Sequence, residues 1–141
     1  MTIRKQILEA MAAAAMAAPS LNGRIYRSRT AALARAESPA LIIRPAEEST
    51  NSLGEAAERD FIVQFIVLAR GEVPDDIADA VIEEVHACLW TDPTFGDLVA
   101  RLFKLSSSWT FSSADGEACE LDVRYRVRYY TPEDSLASTL S

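Results

Sequence analysis

Between residues 117 and 130 the chain reads EACELDVRYRVRYY, and this run limits the fold more than any other stretch of the sequence. Side chains alternate between the two sides of a strand, so Leu121, Val123, Tyr125, Val127 and Tyr129 share one face while Asp122, Arg124, Arg126, Arg128 and Tyr130 share the other. Only a sheet with one face covered and one face free suits both sets. An unpaired guanidinium in a core is far more costly than an exposed one, so the apolar set is expected to lie under a helix and the arginines to face away from it. Residues 100–112 precede this strand, and Ala114-Asp115-Gly116 between them supplies turn geometry, which predicts an antiparallel hairpin.

The remaining elements follow from periodicity. Thr2 can cap a first helix whose Ile3, Ile7, Leu8, Met11, Ala14, Ala15 and Ala18 fall on one stripe, with an end expected near Pro19. Residues 61–69, FIVQFIVLA, are apolar at every position but Gln64 and predict a strand buried on both faces or covered by a helix on one. Pro74 opens a second helix with Asp75 and Asp76 in its first turn, where carboxylates offset the positive end of the helix dipole. Its apolar face holds Ile77, Ala78, Val81, Ile82, Val85, Cys88 and Leu89, and its other side holds Asp76, Asp79, Glu83, His86 and Trp90, with Asp92-Pro93 as the stop. Of residues 23–45 only 40–44, ALIIR, looks like a strand; residues 25–38 have no period and are expected to be poorly ordered or extended from the core. Residues 47–58 are polar and read as a loop. The order of helix, strands, helix and hairpin gives an α+β fold with an antiparallel or mixed sheet and helices packed on one face. One domain over residues 1–131 is expected, with 132–141 as a flexible tail.

A content of 49% hydrophobic and 25% charged residues places the chain among globular proteins with a packed core. The apolar stretch at residues 11–18 is too short to cross a bilayer, and Glu9 with weakly apolar alanines argues against a secretory signal. Cys88 and Cys119 have no CxxC spacing and read as two reduced, buried side chains. The net charge of -7 is unevenly spread. Residues 1–44 hold seven basic and two acidic groups, residues 45–98 two basic and thirteen acidic, and residues 99–141 five basic and six acidic. The acidic middle argues against a nucleic-acid binder with a dominant basic face, whereas opposite charge in two regions suits head-to-tail contact between copies.

No GxSxG, HExxH, Walker or GxGxxG motif occurs, and the single histidine, His86, has no partner at a motif spacing and reads as a solvent-side helix residue. The acids of PDDIADAVIEE lack EF-hand spacing and read as a solvated face. No catalytic residue, metal or cofactor is expected. Trp90 on the polar side of its helix is a candidate interface anchor, unless a loop folds over it. The row Arg124, Arg126, Arg128 either pairs with acids inside the chain or meets the acidic face of another subunit. The candidate contact residues are therefore Arg24, Arg27, Arg29, Arg35, Asp76, Asp79, Glu83, Trp90, Arg124, Arg126 and Arg128.

Three segments, GRIYRSRTAALARAESPALIIRP, VPDDIADAVIEEVHACLWTDPTFGDL and WTFSSADGEACELDVRYRVRYYT, together resemble the tail terminator, or minor tail protein U-like, family of long-tailed phages and prophages. The match of pattern and segment order runs from the first helix to about Thr131. The resemblance implies a non-enzymatic virion protein, assembled in the host cytoplasm, that forms a hexameric ring on the head-proximal end of the tail tube. It would stop tube growth there and join the tail to the head. Its implied partners are copies of itself, the tail tube protein and a head-completion or connector protein, with no membrane and no sequence-specific nucleic acid. A monomeric ligand-binding or regulatory α+β domain is the competing reading, and a concave apolar pocket would mark it.

Overall fold

In the computed structural model, residues 1–28, 38–112 and 117–140 are described. The elements run α1 (Ile3–Ala15), a short 3-10 turn (Pro19–Leu21), β1 (Ile25–Arg27), β2 (Ala40–Leu53), β3 (Ala56–Arg70), α2 (Pro74–Thr91), β4 (Arg101–Ser112) and β5 (Ala118–Pro132). The strands form one mixed sheet in the order β1-β2-β3-β5-β4. β1 runs parallel to β2 and every other neighbouring pair is antiparallel. Both helices bury their apolar stripes in one cluster with the strand residues of a single sheet face, which makes this an α+β fold.

Local chemistry explains each helix. The Thr2 hydroxyl accepts from the Lys5 backbone N–H at 3.2 Å and so satisfies one of the free donors at the start of α1. Ile3, Ile7, Leu8, Met11 and Ala15 are the buried stripe. In α2, Pro74 lies in the first turn with Asp75 and Asp76, and Ala78, Val81, Val85 and Leu89 recur at helical spacing to meet the sheet. The sheet answers with Phe61, Val63, Phe65 and Val67 from β3 and Leu121, Val123, Tyr125 and Val127 from β5, all at most 2% exposed. Phe65 and Tyr125 meet edge to face with ring centroids 5.1 Å apart. The expected division of β5 holds: Arg124, Arg126 and Arg128 lie on the face opposite this core.

Two expectations need correction. Residues 47–58 are not a loop but the outer half of a long β2–β3 hairpin, paired continuously from Glu47↔Ile62 to Leu53↔Ala56. Its turn has two residues, with Gly54 at a φ of 81°, a conformation that glycine adopts without the steric cost of a Cβ. The strand shifts register between Pro45 and Glu47, beyond the reach of β1, where a missing N–H leaves no ladder partner unserved. Residues 25–38 are not wholly irregular either, because Ile25, Tyr26 and Arg27 pair with Leu41, Ile42 and Ile43. Residues 29–37 lie outside the described residues, as does the turn at Ala114-Asp115-Gly116.

β5 continues to Pro132, two residues past the expected end of the strand, and Thr131 is fully buried. The segment 132–141, expected to be a flexible tail, has backbone hydrogen bonds to the rest of the described chain at three points: Glu133 donates to Glu55, the Leu136 carbonyl accepts from Ile3, and Leu140 donates to Tyr130. Arg59, 8% exposed on the helix side of the hairpin, donates to the Thr131 hydroxyl at 2.9 Å and the Thr50 hydroxyl at 3.1 Å. Those bonds give a buried guanidinium the partners it requires.

Candidate functional site

The sheet face away from the helices carries a row of charges on β5 beside buried apolar residues, among them Ile42 and Ile66 at 6% and 3% exposed. Register puts Asp60 of β3 beside Arg128 of β5, and Arg128 donates from Nε and a terminal nitrogen to the two Asp60 oxygens at 2.9 and 3.1 Å. That two-pronged contact, then the charge of Arg128, holds the Asp60 carboxyl below its usual value. Arg124 reaches Asp122 at only 3.8 Å and stays 43% exposed. Arg126 has no ion pair among the described residues; its guanidinium sits 4.3 Å above the Phe103 ring, and Arg101 covers that ring at 4.2 Å. The buried Nε of Arg126 has no hydrogen-bond partner among the described residues. The arginine row is thus served unequally, with Arg128 satisfied within the chain and Arg124 and Arg126 open to a partner.

The helix side carries a second feature. α2 lies over β3 and β5, while β4 extends past it as the sheet edge. Register places Leu102, Lys104, Ser107, Trp109 and Phe111 on the helix side, because they pair with Val127, Tyr125, Val123, Leu121 and Cys119. Beyond Leu102 this ledge is not covered, and Trp109 and Phe111 remain 48% and 61% exposed. Between it and α2 lie three hollows, of which the second and third below share Asp75 and Phe111 and form one groove. One, of about 420 Å³, lies at Trp90, Pro93 and the start of β4. A second, of about 310 Å³, is bounded by Asp75, Asp76, Asp79, Trp109 and Phe111. The third, of about 320 Å³, continues past Phe111 to Val73 and Glu117. Large rings beside carboxylates that have no ion pair among the described residues give this groove the character of a docking surface for a basic, partly apolar segment.

His86 is not the solvent-side residue expected from the helix period. Its ring stacks on Trp90 with centroids 4.2 Å apart, and Nδ1 lies 3.0 Å from the Tyr125 hydroxyl. Burial, then the charge of Lys104, lowers its pKa from 6.5, so the ring is neutral near pH 7. Burial pushes the Tyr125 hydroxyl upward, which keeps it protonated and able to donate to Nδ1. No third group completes a proton relay at this pair among the described residues, and His86 serves to hold Trp90 against the sheet. Among the described residues no cluster of three or more His, Cys, Asp or Glu is arranged to hold a metal ion, and no helix is long and apolar enough to cross a membrane.

One solved structure similar to this chain is a component of the virion of a native gene transfer agent particle, at 16% identity and a TM-score of 0.43, with 92% of each chain covered. No protein-family model and no curated protein matches the chain.

The candidate contact residues fall into separate places. Asp76, Asp79 and Glu83 are exposed along one flank of α2, and Trp90 is 39% exposed at its end. Arg124, Arg126 and Arg128 occupy the opposite side of the sheet. Arg27 is exposed on β1, at the far edge, and Arg24 is turned inward, donating to the Pro39 carbonyl at 2.7 Å. Arg29 and Arg35 lie outside the described residues. Sequence reasoning missed Trp109 and Phe111. Their signal was the spacing Ser107, Trp109, Phe111 in the otherwise polar second half of the strand, residues 106–112, which puts two rings on one side.

Proposed function

We propose that this chain is a structural virion protein that forms a ring, a hexamer, on the head-proximal end of a phage tail tube. There it ends tube growth and offers the surface on which the head is joined. The observation that carries the reading is the separation of unlike surfaces on one small domain. An aromatic and acidic groove lies along α2 and β4, basic Arg27 lies at the opposite sheet edge, and an incompletely paired arginine row lies on the free face. Self-association through two different patches is heterologous and closes into a ring when the rotation allows. The third surface is then left for partners, the tail tube protein and a head-completion or connector protein. The order of the three segments that resemble tail terminators supports the same reading, and termination by binding alone requires no catalytic group.

A tube built from repeated rings has no intrinsic end, so its length reports directly on a terminator. Deletion of the gene from its phage or prophage is expected to give tails of abnormal length that do not join heads, with both defects repaired by the gene in trans. Normal tails joined to heads in the deletion strain would contradict the proposal. His86→Gln, which removes the stacking on Trp90 but not Trp90 itself, should still give tails joined to heads, since no step of this function transfers a proton.

A further inference from the structure

We propose that neighbouring subunits join edge to edge, with β4 of one copy pairing antiparallel with β1 of the next, so that the sheet continues from subunit to subunit. The inference rests on the ring reading and adds to it the strands that form the contact.

The first observation is that β4 is a poorly defended edge. Natural sheets protect edge strands with lysines, prolines, inward charges or covering loops. β4 has Lys104 and a register shift between Lys104 and Ser106, and after that it reads SSSWTFS, residues 106–112, without a charge or a proline. Among the described residues no strand pairs with its outer side. Seven such residues carrying two exposed rings form a ready template for another strand, and a second copy is always present at matching concentration.

Topology then selects the mate. β1 runs with β2, β2 runs against β3, β3 against β5, and β5 against β4, so β1 and β4 point in opposite directions at the two edges of the sheet that the described residues form. Rotation about an axis along the strands preserves direction. The β4 of one subunit therefore meets the β1 of the next antiparallel, the more favourable ladder. The rows agree as well. Ile25 shares a row with Leu41, Val67, Leu121 and Trp109, and Arg27 shares one with Ile43, Phe65, Val123 and Ser107. Hence β1 stands at the level of residues 107–109, past the register shift and within the uncharged part of the edge.

Side-chain chemistry is complementary at that level. On the helix side, Ile25 would extend the row of Trp109, and exposed Arg27 would approach the acidic flank of α2, where Asp76 and Asp79 border the same hollow as Trp109. Charge gives this contact its direction, since a β4 edge facing another β4 edge would bring two acidic flanks together.

Cysteine pairing tests the arrangement. Tyr26→Cys and Ser108→Cys occupy one row, so under oxidation the double variant should form a covalent ladder of subunits, in purified protein or in assembled tails. Each single variant should give only the background of Cys88 and Cys119. Trp109→Asp, at an exposed position, should abolish the ladder while leaving the circular dichroism of the subunit unchanged, and Arg27→Glu should reduce its yield at low salt. Rings that assemble normally but give no ladder would overturn the edge pairing while leaving the ring reading intact. Absence of any ring, in solution and on tails, would overturn both.

Discussion

The two sides of β5 are built from alternate residues of one strand and behave as different materials. On the helix side Leu121, Val123, Tyr125 and Val127 are at most 1% exposed and interlock with Phe65 and the α2 stripe. On the free side Arg124 is 43% exposed, Arg126 lies on a ring without an acid partner, and Arg128 alone is paired well. The first set fixes the register, because a slip of one residue would bury three guanidiniums and expose five apolar side chains. Arg124 and Arg126 of the second set make few contacts inside the chain and are expected to contribute less to folding than the first set. On the proposed reading, stability and recognition are divided at the level of odd and even residue numbers.

The division breaks most visibly on the covered side. Phe65→Ala should cost about 3–5 kcal/mol in equilibrium denaturation, through lost burial and the cavity left beside Tyr125. A cost under about 1 kcal/mol would mean that this face is not tightly packed. Thr2→Ala should cost about 1 kcal/mol by freeing the N–H that its hydroxyl satisfies, a loss confined to the start of α1 and readable by hydrogen exchange there. A smaller, pH-dependent effect is expected from His86. Its folded-state pKa lies below the ordinary 6.5, so the unfolded chain takes up the proton first. Stability should be full above pH 6.5 and decline as pH falls from there through the folded-state pKa, and His86→Gln should flatten that decline. On the free side Arg124→Gln should change stability by about 0.5 kcal/mol or less. If it matched Phe65→Ala, the contrast between the two faces would not stand.

The sequence announces elements where burial is one-sided and hides them where it is not. α2 and the alternating part of β5 were legible because the apolar stripe of each has the period of its element. The outer half of the β2–β3 hairpin was not, because Glu47, Glu48, Ser49, Thr50, Asn51 and Ser52 are polar on both sides of the strand. Its partners are polar as well: the Tyr129 hydroxyl donates to Glu48, and Arg4 reaches Glu48 at 3.2 Å. A strand held by such contacts leaves no hydrophobic period to read. The candidate surfaces were legible in part for the same reason. The arginine row and the acidic flank of α2 announce themselves by charge, whereas exposure of Trp109 and Phe111 depends on where α2 stops covering the sheet. His86 was misplaced because Tyr125 and Trp90, its contacts, lie 39 and four residues away, and only the fold brings the first of them beneath it.

The proposed ring at one end of a tail tube is tested most directly by electron microscopy of tails carrying an affinity-labelled copy. The label is expected at a single end of each tail, the end that meets the head, in one ring per tail. Label distributed along the tube, or absent from purified tails, would contradict the account.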